Sequence, residues 1–300
     1  MQYKIRSRKN NQLRSKIKPW LFLAPAIILF ALVILFPVIK VFDYSFHENL
    51  FDSDNPAFIG FDNYKAVFGD SRFSQMIQFT GIFTIGSTLL HICFGILFSV
   101  MLNKNINRHA LSFFRVIFIL PWVFTAAVVA VVWQLMLNAQ GVVNVILSQI
   151  IGNNVILIWL GQPTLAVISL LIINGWRGYP TCMVSFLAGL QNIPDSLYEA
   201  ARVDGANKVR QFFSITLPSL KPIILSVGLL DAIWTMNLFP LIWLTTGGGP
   251  LGKTESIATL TYRMSFTEFE FGRASALAVI GLVITFLGIM VYMRYQKSMD

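Results

Sequence analysis

Residues Gly247 to Thr254 read GGGPLGKT and fit G-x-x-x-x-G-K-[ST], the pattern of a loop that cradles nucleotide phosphates. Such a loop wraps backbone N–H groups around the phosphates at a helix N-terminus, while its lysine reaches the β- and γ-oxygens. It needs a buried strand before it, a packed α/β domain around it and a carboxylate for Mg²⁺. This chain offers no alternating strand–helix pattern. The apolar run SVGLLD ends in Asp231, upstream of the glycines in the same hydrophobic stretch and on its wrong side. The expected structure is therefore a tight turn, with Gly supplying positive φ and Pro fixing the exit. The match is accidental.

A second set of residues carries charge into apolar surroundings. Arg177 sits in the run INGWRGYP, and Asp231 lies well inside the next long apolar stretch. A charged side chain at the centre of a bilayer costs about 2.5–3.5 kcal/mol on insertion scales, so each needs a partner or a water-filled cavity. Either the two pair with each other or both line one polar cavity. A structural ion pair that fixes helix packing and never meets a solute is the competing reading. Asn174, Trp234 and Asn237 lie at similar depth. An apolar ring face beside hydrogen-bonding groups suits Trp234 and Asn237 to lining a solute path. His47, His91 and His109 are scattered without ligand-spaced neighbours, so no metal site is expected. Cys93 and Cys182 both lie in apolar runs, and no disulfide framework is readable.

The elements that hold these residues follow from composition. The chain has 300 residues, 55% hydrophobic and 12% charged, with a mean hydropathy of +0.66. A soluble domain carries about a quarter charged residues, so this is a membrane composition. Six runs are long enough to cross a hydrocarbon core as helices, roughly at 20–42, 76–102, 113–137, 165–190, 222–245 and 274–293. The first contains Pro25 and Pro37, which neighbouring helices can accommodate. The second contains Gly81, Gly86 and Gly95, small enough for close helix contact. A seventh apolar region, VVNVILSQIIGNNVILIWL, is divided by Asn144, Gln149, Gly152, Asn153 and Asn154 and reads as a surface-lying or re-entrant helix. The division expected is a basic N-terminal segment over 1–19, retained as a cytoplasmic anchor, and one all-α transmembrane domain over 20–300.

Net charge of +9 suggests nucleic acid, but the basic residues lie between apolar runs, which fits orientation in a lipid bilayer instead. One side of a six-span chain holds Lys4 to Lys18, then Lys104, Arg108 and Arg115, then Arg202, Lys208, Arg210 and Lys221, and last Arg294 and Lys297. The other holds Lys40, Lys65, Arg72, Lys253, Arg263 and Arg273. The positive-inside rule puts both termini and the loop over 191–221 in the cytoplasm, and GGGPLGKT outside.

That loop, QNIPDSLYEAARVDGANKVRQFFSITLPSLKP, has local signals for two short helices. Ser196 and Glu199 have capping-box spacing, so the first helix is expected to begin at Leu197. Gly205 is its natural stop, Asn207 can cap the second helix, and Pro218 is expected to close that one before the next span. Ala200 and Ala201 leave one side nearly bare, with Leu197 and Tyr198 as apolar anchors, a shape suited to a groove on another protein. EAARVDGA followed by ITLP resembles the EAA loop of ABC-importer permeases, the short helix that docks onto the ATP-hydrolysing subunit. The resemblance covers nearly the whole chain. PWVFTAAVVAVVWQLMLN, GVVNVIL, LAGLQNIPDSLYEAA, LTTGGGP, TESIATLTYRMSF and FGRASALAV are similar to the carbohydrate-uptake, maltose-transporter-like branch.

The resemblance implies the type I permease fold, with six transmembrane helices and a cytoplasmic coupling helix carrying Glu199, Ala200, Ala201, Asp204 and Gly205. It implies a non-catalytic permease in the cytoplasmic membrane that moves a sugar or oligosaccharide by alternating access. The partners implied are an ATP-binding subunit dimer, a second homologous permease and an extracytoplasmic solute-binding protein. ATP and Mg²⁺ would bind the ATPase, leaving this chain without a cofactor. One departure is visible: where many relatives have NxFD before the glycines, this chain has NLFP, with Pro240 in place of a carboxylate. An ion-coupled secondary transporter or channel is the rival class. It would need no protruding helix and would usually show several intramembrane carboxylates, of which only Asp231 qualifies.

Overall fold

The computed structural model describes residues 22–49, 56–103, 107–152 and 156–297. The basic segment expected over 1–19 lies outside them. The described residues form twelve helices: α1 Phe22–Tyr44, α2 Asp62–Gly69, α3 Ser71–Leu102, α4 Arg108–Val123, α5 Ala126–Met136, α6 Val142–Ile151, α7 Pro163–Gln191, α8 Asp195–Val203, α9 Lys208–Met236, α10 Pro240–Thr246, α11 Ile257–Phe266 and α12 Phe271–Lys297. Among the described residues the only extended pairing is the isolated bridge between His47 and Phe58. Helices α1, α3, α9 and α12 are each long and apolar enough to cross a membrane. Helix α7 has comparable length, 29 residues, with Asn174 and Arg177 on it.

The centre of the bundle is the α3–α7 pair, with α4 and α9 packed against it. Helix α3 starts where the Asp70 carboxylate accepts the Arg72 N–H at 2.8 Å, and its 32 residues extend about 48 Å at 1.5 Å per residue. Glycines set how closely the two helices approach. A Cβ at Gly95 would lie 2.8 Å from that of Cys182, and one on Gly178 would lie 2.2 Å from the His91 ring. Gly86 faces Leu171 in the same manner, whereas Gly81, expected to serve the same purpose, faces open space.

Two of the expected spans differ from the structure. The run over 113–137 is not one helix: α4 and α5 meet at a bend of 95°. Phe124 and Thr125 are extended there, and the Thr125 hydroxyl accepts the Val128 N–H at 3.4 Å, so Thr125 starts a new helix. Continuous hydropathy hides such a cap. The run over 222–245 is also displaced. Helix α9 ends at Met236, and α10 begins at Pro240, a residue with no N–H to continue the ladder but well suited to a first turn.

At its other end α9 begins at Lys208, because Pro218 does not close the second helix of the loop. A π-turn over Phe212–Thr216, with the Leu217 N–H bonded to the Phe212 carbonyl, widens the backbone just before the proline. That gives its ring room against the preceding carbonyls, and the helix runs on. The same device, a π-turn over Ala31–Leu35, precedes Pro37 in α1. The seventh apolar region forms α6, whose 10 residues are too short to cross. Asn144, buried on it, donates to the Leu157 carbonyl and accepts from the Trp159 indole at 2.9 Å.

Gly178→Ala is expected to force His91 or the α3–α7 spacing to shift and to destabilise the protein by about 1–3 kcal/mol. Gly81→Ala, made where nothing lies within 4 Å, serves as control and is expected to be neutral. Thermal unfolding of the purified complexes checks this, and equal midpoints for the two variants would refute the close packing.

Candidate functional site

Helix α8 stands between the two long helices α7 and α9. It begins at Asp195 rather than Leu197, with Pro194 at the N-cap in extended conformation. The fixed proline turns the chain into the helix at once, which leaves Ser196 inside the first turn with no capping bond. Its far end is closed by backbone geometry. Gly205 takes φ +77°, its N–H bonds the Arg202 carbonyl at 3.1 Å, and the Ala206 N–H bonds the Ala201 carbonyl at 2.8 Å. This double bond pattern is the Schellman closure, which favours glycine.

The two sides of α8 differ. Glu199, Ala200 and Asp204 are exposed, Leu197 is 48% exposed and Val203 88%. The ion pair between Glu199 and Arg202, 3.9 Å apart, is solvated and worth little. Tyr198 does not join Leu197 as an outward anchor. Its side chain turns toward the bundle, and its hydroxyl bonds the Thr216 hydroxyl at 2.9 Å, at the start of α9. Gln211 adds a bond to the Ala206 carbonyl at 2.8 Å, and Asn207 caps α9 through the Arg210 N–H at 2.9 Å. Helix α8 is thus fastened to α9 from one side and bare on the other. Val203 went unnoticed in the sequence, although it lies on the same helical face as Glu199 and Ala200.

The second arrangement is a small polar cavity between α3, α4, α7 and α9, about 100 Å³ in volume. Asn174, Arg177, Asp231 and Trp234 all line it, together with Trp122 and His91. Arg177 and Asp231 do not pair. The Asp231 carboxylate instead accepts from Thr88 at 3.0 Å and meets His91 Nδ1 at 2.8 Å, while His91 Nε2 meets the Asn174 carbonyl at 2.8 Å. One histidine therefore joins α3 to both α9 and α7. Arg177 Nε and Asn174 Nδ2 are buried without a partner. Trp234 is 69% exposed on the face of α9. Asn237 is not brought to this cavity. Its amide donates to the Ile233 carbonyl at 2.9 Å and faces a separate groove beside Thr285 on α12.

Thr88, His91 and Trp122 were missed as site residues. The signal for His91 was present, an ionisable side chain inside a long apolar run, but a search for metal-ligand spacing passes over it.

GGGPLGKT folds as a self-bonded turn that follows helix α10, with no strand before it. Gly247, Gly248 and Gly252 take positive φ, and the Gly249–Pro250 peptide is cis. Thr254 is fully buried. Its hydroxyl donates to the Gly249 carbonyl and bonds the Thr246 hydroxyl, so it has no freedom to hold a metal. Arg263 closes the turn, donating to the buried Glu255 carboxylate at 2.8 Å and to the Gly247 carbonyl.

A bundle of long apolar helices with a small polar cavity between four of them and a short exposed helix beside it is the architecture of a polytopic membrane protein. Residues 91–300 match the family model described as binding-protein-dependent transport system inner membrane component, and the chain belongs to that family. It is 32% identical to the trehalose/maltose transport system permease protein MalF of Thermococcus litoralis, over 96% of this chain and 98% of that one. Among solved structures it resembles a bacterial ABC transporter involved in import of the acidic polysaccharide alginate. That likeness has TM-score 0.79 and 27% identity, over 94% of this chain and 99% of that one. A bacterial alginate ABC transporter in complex with alginate pentasaccharide-bound periplasmic protein has the same fold, with TM-score 0.80 and 24% identity over 94% of each chain. The chain has the type I ABC-importer permease fold and is an integral membrane protein.

His91→Leu is expected to destabilise the protein by about 3 kcal/mol, because it leaves the Asp231 carboxylate with Thr88 alone. H91L combined with D231L is expected to recover most of that loss. Thermal unfolding of both variants checks it. A double variant as unstable as the sum of the singles would mean that the two residues are not coupled.

Proposed function

We propose that this chain is the carbohydrate-translocating permease of an ATP-driven importer and works by alternating access. Its partners are an ATP-binding subunit dimer, a second homologous permease and an extracytoplasmic solute-binding protein. ATP and Mg²⁺ bind the ATPase, and this chain hydrolyses nothing itself. Both termini and α8 face the cytoplasm, where the nucleotide is, and GGGPLGKT faces the outside, in line with the distribution of Lys and Arg.

The observation that carries the mechanism is the two-sidedness of α8. Leu197, Glu199, Ala200, Val203 and Asp204 form a bare surface that fits a groove on the ATPase. Tyr198 ties that surface to α9 through Thr216, and α9 carries Asp231 and Trp234 to the cavity. Closure of the ATPase dimer moves α8, α9 follows, and the cavity changes the side to which it opens. Gly205, at positive φ, keeps the turn between the two helices sharp.

The solute path runs past Asn174, Arg177, Asp231 and Trp234, where an indole face and several hydrogen-bonding groups meet. The carbohydrate class is supported by the relatives. The MalF relative is named for trehalose and maltose and the solved transporter for an acidic polysaccharide, so their names leave the charge of the sugar open.

Tyr198→Phe removes one hydrogen bond, worth about 1 kcal/mol, without touching the bare face. The complex is expected to assemble and to hydrolyse ATP at near its usual rate, while uptake of radiolabelled sugar per ATP falls about fivefold. Uptake that persists with an ATPase-dead partner, or that stops with a proton uncoupler while ATP is held constant, would contradict the importer mechanism.

A further inference from the structure

The charges around the cavity do not balance. His91 Nδ1 faces a carboxylate oxygen, and Nε2 faces a backbone carbonyl. A carbonyl has no proton to give, so His91 satisfies it only by donating from Nε2. The contact to Asp231 then holds one further proton, on His91 Nδ1 or on the carboxyl itself. Imidazolium with carboxylate and imidazole with carboxylic acid both sum to zero. The pair is neutral as a unit wherever that proton sits, with Thr88 donating to the same carboxylate oxygen.

Arg177 is therefore left without a counter-charge. Among the described residues no carboxylate lies within 4.0 Å of it, and its Nε is buried with no acceptor. Asn174, 2% exposed, turns an unpartnered Nδ2 donor into the same small space. The cavity thus offers two unpartnered donors against one carboxylate oxygen, Asp231 Oδ1, that neither Thr88 nor His91 occupies, and it carries one positive charge in surroundings that penalise it. Trp122 and Trp234 border the same cavity with broad apolar faces.

We propose that this cavity is a subsite for an anionic sugar, in which Arg177 and Asn174 hold a carboxylate or sulfonate of the solute while the indoles of Trp122 and Trp234 pack on its ring. The proposal rests on the carbohydrate-permease reading above and narrows its substrate to acidic carbohydrates. A planar guanidinium suits that ligand, because it can donate two parallel bonds to an oxyanion. A neutral sugar would leave the half-buried Arg177 charge without a counter-ion.

The test uses the intact permease–ATPase complex in lipid nanodiscs, without nucleotide and without the solute-binding protein, whose own selectivity would otherwise enter. The probes are a galacturonate disaccharide and its methyl ester, which share a ring and differ in charge. Binding is followed by tryptophan fluorescence. The acid is expected to bind about tenfold or more tightly than the ester, the range that one charge-assisted hydrogen bond supplies. In Arg177→Gln that ratio is expected to fall to about one, and in Arg177→Lys, which keeps the charge, to be retained in part. Equal affinities in the unaltered complex overturn the proposal, as does a ratio that survives R177Q or an absence of binding by either probe. If neither R177Q nor R177K assembles, Arg177 serves packing rather than the solute, and the proposal fails. Uptake by the complete importer separates the two levels. Neutral sugars carried as well as acidic ones sink only the charge assignment, whereas uptake of no carbohydrate at all sinks the permease reading with it.

Discussion

Helices in a bilayer gain nothing from hiding apolar surface, since lipid is as apolar as leucine. What holds this bundle at its centre is close approach plus a polar junction. His91 reaches from α3 to Asp231 on α9 and to the Asn174 carbonyl on α7. It can do so only because Gly178 leaves the space for the imidazole, and Gly95 lets the same two helices meet at Cys182. Take the junction away and a carboxylate, a carbonyl and a ring each lose their partner inside hydrocarbon. The remaining geometry of the cavity depends on it.

In the proposed mechanism the junction lies on the route between α8 and the cavity. Helix α9 is continuous from Lys208 to Met236 because the π-turn lets it pass Pro218, so Thr216 and Asp231 lie on one rod. Tyr198 holds the outer helix to the near end of that rod, and His91 holds the rod to α3 further along it. Had Pro218 ended a separate helix, a flexible joint would lie between the docking surface and the cavity. In the proposed mechanism a continuous α9 gives the importer a lever in place of a hinge.

Hydropathy and charge made the class of fold legible, and local caps made much of the loop over 191–221 legible. Gly205 and Asn207 act where their chemistry predicts. The failures have physical causes. Thr125 caps α5, but in an unbroken apolar run its effect is masked, so hydropathy alone does not announce the 95° bend. Pro218 is read as a break unless a widened turn precedes it, and nothing in FFSIT announces one. Arg177 and Asp231 were recognised as intramembrane charges, yet opposite sign and similar depth do not make a pair. Asp231 had a nearer partner in His91, a residue whose neighbours in sequence are all apolar or small.

The central claim is that displacement of α8 reaches the cavity through a rigid α9. Its most direct measurement is the pulsed electron-resonance distance between spin labels at Val123 on α4 and Leu230 on α9, which are 66% and 40% exposed. It is recorded in the intact complex with and without trapped ATP. The account predicts a clear change in this distance on ATP binding, abolished when Val203→Asp prevents α8 from engaging the ATPase. A distance that does not respond to ATP, or one that still responds when α8 is disengaged, would contradict it.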